Sequence, residues 1–121
     1  MSYKWPDKDP DEIVDYSVDW SRFLKEDTIA SAIWFIKDAD GVKTQLSAAS
    51  VVNGLQFVQG TISGDDTSVP QQYRKVATAR FSLGTNNVRY TIVCRITTAT
   101  TALQATGLQY ERSIFMRVKE K

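Results

Sequence analysis

The chain has 121 residues, 42% of them apolar and 24% charged, with a formal net charge of +1. That length suits one domain around a single core, and the composition excludes collagen-like, low-complexity and wholly disordered chains. There is no histidine and only one cysteine, Cys94. Their scarcity removes Ser-His-Asp and Cys-His catalysis, His-bearing zinc sites, His-ligated haem, an internal disulfide and a Cys₄ metal site. The composition leans against an enzyme, and neither cofactor nor metal is expected.

The opening, Met1 to Pro10, has no apolar stretch of the kind a secretory signal carries. No apolar run approaches the ~18 residues of a membrane span, so no membrane association is expected. Residues 1–12 instead read as an extended arm. Tyr3, Trp5, Pro6 and Pro10 stand among Lys and Asp without periodicity, and the prolines favour an extended path. Tyr3, Trp5, Pro6 and Asp9 are candidate partner contacts, because aromatics on a stiff arm suit a partner's groove. The rival reading folds Trp5 back over the end of its own domain. Asp7 to Glu12 is acid-rich, but it lacks the glycine and the bidentate acid of a calcium loop.

Residues 13–121 read as a β-sandwich. Ile13 to Trp20 alternates, with Val14, Tyr16, Val18 and Trp20 inward and Asp15, Ser17 and Asp19 outward. Asp15 and Asp19 share a polar face too far apart for paired acid–base work. Ser21 to Glu26 could make one helical turn. Ile29 to Ile36 is a strand with Trp34 as a core residue, followed by the turn Asp38-Ala39-Asp40-Gly41. Val51 to Ile62 reads as a weaker strand or pair interrupted by Gly54 and Gly60, and Ser63-Gly64-Asp65-Asp66 as a turn. Lys75 to Leu83 places Ala77, Ala79 and Phe81 on one face.

After the corner Gly84-Thr85-Asn86-Asn87 comes the clearest strand. Val88, Tyr90, Ile92, Cys94 and Ile96 point one way and Arg89, Thr91, Arg95 and Thr97 the other. Cys94 on the inward face behaves as a small hydrophobe. Tyr90, just past the corner, is placed to return its hydroxyl to the corner backbone as a tyrosine corner does. A Thr/Ala-rich loop over 99–108 precedes the last strand, Tyr110 to Lys119, whose alternation Arg112 and Phe115 break. The expected fold is all-β, an immunoglobulin-like antiparallel β-sandwich with an extended N-terminal arm.

Charge is unevenly placed: residues 1–40 hold ten acids and five bases, residues 41–121 four acids and ten bases. Arg80, Arg89, Arg95 and Arg117 lie outward on candidate strands and are expected to form one stripe for phosphate or acidic protein. Aromatic interleaving for single-stranded nucleic acid is missing, so no nucleic-acid partner is expected. Arg80, Arg89 and Arg95 join the arm residues as candidate partner contacts.

The run Lys8-Asp9-Pro10-Asp11-Glu12-Ile13-Val14-Asp15-Tyr16-Ser17-Val18-Asp19-Trp20-Ser21 resembles small immunoglobulin-like structural proteins of tailed bacteriophages, the fibre–tail adaptors. The resemblance continues through Asp27-Thr28-Ile29-Ala30-Ser31 with Trp34, Tyr90 to Thr98, and the closing strand from Tyr110. It implies a non-enzymatic virion protein, present in many copies, docked on a tail or connector ring to join fibres to it. It also implies a location at the virion tail after assembly in the host cytoplasm. The segments 42–60 and 99–108 look longer than in the family's shorter members, which bears on partner choice. A capsid decoration or head–tail completion protein is the nearest alternative, and a carbohydrate-binding sandwich the alternative of another class. In the adaptor reading, docking energy comes from Trp5, Tyr3 and an edge strand.

Overall fold

The computed structural model describes residues 3–20, 24, 28–62, 75–98 and 108–120. The expected helical turn at 21–26 (Leu24 apart), the turn at 63–66 and the loop at 99–108 (Leu108 apart) lie outside them. The described strands are β1 (Tyr3–Lys4), β2 (Val14–Asp19), β3 (Ile29–Lys37), β4 (Lys43–Gln45), β5 (Ser50–Val52), β6 (Leu55–Ile62), β7 (Val76–Leu83), β8 (Val88–Thr98) and β9 (Gln109–Val118).

They form a five-stranded sheet ordered β1-β9-β8-β3-β4 and a four-stranded sheet ordered β2-β7-β6-β5. Pairing is antiparallel except where β1 runs parallel to β9. Consecutive strands β2 and β3, and again β7 and β8, change sheet. This arrangement is an immunoglobulin-like sandwich. Period-2 alternation builds the core: Tyr16 and Val18 from β2, Ala77, Ala79 and Phe81 from β7, and Tyr90, Ile92, Cys94 and Ile96 from β8 are all buried. From β9, Ile114, Met116 and Val118 complete it.

Two readings of the middle of the chain are refined. Asn53-Gly54 is the two-residue turn between β5 and β6, with φ of 50° and 85°. Positive φ at both positions matches the right-handed twist of a hairpin. Gly60 does not interrupt β6. A Cβ there would lie 3.0 Å from the Trp34 indole nitrogen, so the glycine makes room for the core tryptophan.

The tyrosine corner is present. The Tyr90 hydroxyl accepts the Thr85 N–H at 3.0 Å and donates to the Asn53 carbonyl at 2.6 Å. One side chain on the five-stranded sheet thereby holds the β7–β8 corner and the β5–β6 turn of the other sheet.

Candidate docking surfaces

The N-terminal segment is extended, yet it lies on its own domain. β1 pairs with β9 through Tyr3↔Ile114 and Lys4↔Phe115, and Lys8 bridges to Val118. The Trp5 N–H donates to the Phe115 carbonyl at 2.9 Å. The Trp5 side chain is buried, stacked on Tyr16 with ring centroids 4.8 Å apart and planes 9° from parallel. Trp34 and Phe81 close around it at 6.0 and 6.1 Å, and its indole N–H donates to the Ser17 carbonyl at 3.1 Å. This corrects the expectation that Trp5 is a docking anchor. With its ring packed among aromatics and its indole N–H donated to its own domain, the side chain is not presented to a partner.

Pro6 is exposed, and its carbonyl accepts the Tyr16 hydroxyl at 2.7 Å. Burial, with Glu12 and Asp7 nearby, pushes that hydroxyl up to about 12. Asp9 closes a local turn: its carboxylate accepts the Asp11 N–H and its own N–H donates to Glu12 Oε1. Sequence reasoning missed Lys8. Its side chain is fully buried, with Nζ donating to the Asp9 and Leu83 carbonyls at 2.8 and 2.6 Å. Burial lowers its pKa, against the pull of Glu12, Asp9 and Asp11. Only the partnering of its ammonium with the neighbouring Asp9 carbonyl and the Leu83 carbonyl of a distant corner explains a lysine there, and no local pattern signals it.

The arginines do not form one stripe. Arg80 is on β7, in the four-stranded sheet, where its guanidinium holds both oxygens of Asp15 at 2.7 and 3.1 Å. That bidentate contact lowers the Asp15 pKa. Arg89 and Arg95 on β8, with Arg117 on β9, sit on the outer face of the other sheet. The chain changes sheet between β7 and β8, and this separates Arg80 from the rest.

That outer face of the five-stranded sheet has its own architecture. Arg89 lies directly opposite Arg117, Thr91 opposite Phe115, and Arg95 opposite Glu111. On the other side of β8, Lys37 neighbours Thr91 and Phe35 neighbours Val93. The Arg89 guanidinium stacks 3.9 Å over the Phe115 ring and Arg95 4.6 Å over Phe35. Glu111 accepts from Lys43 at 2.7 Å and from Arg95 at 2.6 Å, and these contacts lower its pKa. Val93, between these groups, is only 1% exposed although it points away from the core. The break in alternation noted at Phe115 is this outward aromatic. Arg112, the other break, stands opposite Cys94 on the inward side, with its guanidinium 4.5 Å over Trp20.

The family described as podophage GP4 fiber-tail adaptor protein gp77 matches residues 8–117. The chain belongs to this fibre–tail adaptor family. It is thus a structural tail protein, in a family that is not an enzyme class, and its setting is among the tail and fibre proteins of the virion. No curated protein matches the adaptor significantly. Among solved structures it is similar to an ASH/PapD-like domain of human CEP192, at 10% identity and a TM-score of 0.47. That similarity covers 99% of the adaptor chain and 82% of the other. The immunoglobulin-like assignment of this adaptor follows from its own strand order and tyrosine corner.

Proposed function

We propose that this protein docks on the tail or connector of the virion in several symmetry-related copies and attaches the tail fibres through protein–protein contacts. Assembly would take place in the host cytoplasm. The observation that carries this reading is the family match across residues 8–117, which spans every strand except β1 and the final residue of β9. The sandwich supplies rigid sheet faces and exposed edge strands, β4 and β5 among them, on which subunits can pack. Cryo-EM reconstruction of the particle that contains this chain tests the proposal. Density between a tail ring and the fibre roots is expected. Density spread over the capsid lattice would make it a decoration protein, and absence from the particle would overturn both assignments.

A further inference from the structure

We propose that the outer face of the five-stranded sheet is the docking face for an acidic protein surface. The inference rests on the adaptor reading and names the chemistry of the partner. Lys4, Lys37, Lys43, Arg89, Arg95 and Arg117 all project from this face. Arg89 is directly across from Arg117, and Lys37 is directly across from Lys43. Like charges in directly opposed cross-strand positions destabilise a sheet. Among the described residues of this face Glu111 is the acid, and Lys43 and Arg95 already share it. Lys4, Lys37, Arg89 and Arg117 have no carboxylate partner among the described residues. The opposite sheet shows what neutralisation looks like in this fold, with Asp15 set directly against Arg80.

The opposed pair Arg89 and Arg117, without a carboxylate on either member, together with Lys4 and Lys37 on the same face, forms a surface completed by carboxylates from outside. Complementary charge steers such a partner and sets its register. Protein fits better than nucleic acid. The Phe115 and Phe35 rings carry guanidinium groups over their faces, so neither offers an open platform for a base.

The test uses the full-length purified chain. Fluorescence anisotropy would follow binding of a labelled poly-L-glutamate peptide and of a single-stranded oligonucleotide of equal length, at low and at physiological salt. The peptide should bind more tightly than the oligonucleotide, and more weakly as salt rises. The pair Arg89→Glu/Arg117→Glu should weaken peptide binding by about tenfold or more. The neutral pair Arg89→Gln/Arg117→Gln should weaken it less; it removes the cross-strand repulsion, whereas the charge-reversed pair keeps one of opposite sign, so a cooperative melting transition in each checks that the fold is retained. Arg80→Glu, on the other sheet, should leave peptide binding unchanged. Absence of peptide binding, equal loss from Arg80→Glu, or tighter binding of the oligonucleotide would overturn the proposal. Particle incorporation separates the two readings. A wild-type chain missing from virions defeats the adaptor assignment, whereas normal incorporation of the charge-reversed pair defeats only the docking face.

Discussion

Trp5 illustrates how one side chain can be read in two ways until its surroundings are known. In sequence it is an aromatic on a polar, proline-containing segment. In the structure its ring is stacked on Tyr16, with Trp34 and Phe81 tilted against it. Truncation to alanine would empty the space of an indole among aromatics that cannot collapse into it. Trp5→Ala should therefore destabilise the fold by ~3–5 kcal/mol, measured as a lower midpoint in urea denaturation. An unchanged midpoint with impaired assembly would restore the docking role. Cys94 behaves at the same scale as its alternation implies. Its burial pushes the thiol up to about 12, so it is an inert core residue.

At the scale of elements, the sandwich depends on what ties its two sheets together where the chain crosses between them. Tyr90 bonds the Thr85 N–H and the Asn53 carbonyl at once. Tyr90→Phe keeps the ring in the core but leaves the Thr85 N–H without its acceptor, while the Asn53 carbonyl keeps the Thr85 hydroxyl. The expected cost is ~1–3 kcal/mol, read from thermal or urea unfolding. Amide hydrogen exchange should rise first at Thr85, whose N–H loses its acceptor. Unchanged exchange there would mean that water replaces the hydroxyl. The N-terminal segment is an element in the same sense, because β1, Trp5 and Lys8 fasten it along β9. A position at the edge of the sheet lets so short a strand persist, since it borrows the register of a long neighbour.

For the whole molecule, the charge asymmetry along the chain becomes an asymmetry between faces. The basic second half supplies Arg89, Arg95 and Arg117 to the five-stranded sheet, where Lys4 and Lys37 join them, and the acidic first half supplies Asp15 and Asp19 on the other. Glu111 is the anion within the basic face, held below the usual glutamate range chiefly by the hydrogen bond from Lys43, with Arg95 adding to it. A pKa lowered by folding contributes stability above the unfolded value, and that contribution is lost as pH falls through the folded value. Glu111→Gln should therefore flatten the acid limb of the stability curve, with the two proteins converging at the acid end. Both partners are about a third exposed, so the difference at neutral pH should stay below about 1 kcal/mol. Chemical denaturation across pH 2–7 checks it; a parallel acid limb in both proteins would show that Glu111 is not the titrating group.

Alternation alone determined much of this protein. It marked β2, β7, β8 and β9 with their inward residues, placed Tyr90 at a corner and Cys94 in the core, and carried the motifs that resemble the adaptor family. Those features are local, because a strand's two faces and a turn's backbone are set by adjacent residues. Tertiary structure decided which strands share a sheet, and with it the fate of Trp5, Lys8 and the arginines. Arg80 and Arg89 are close in the chain but lie on opposite sheets, whereas Lys43 and Glu111, far apart in the chain, meet on one face. Pairing between distant strands is a property of the packed whole, and no residue's immediate neighbours encode it.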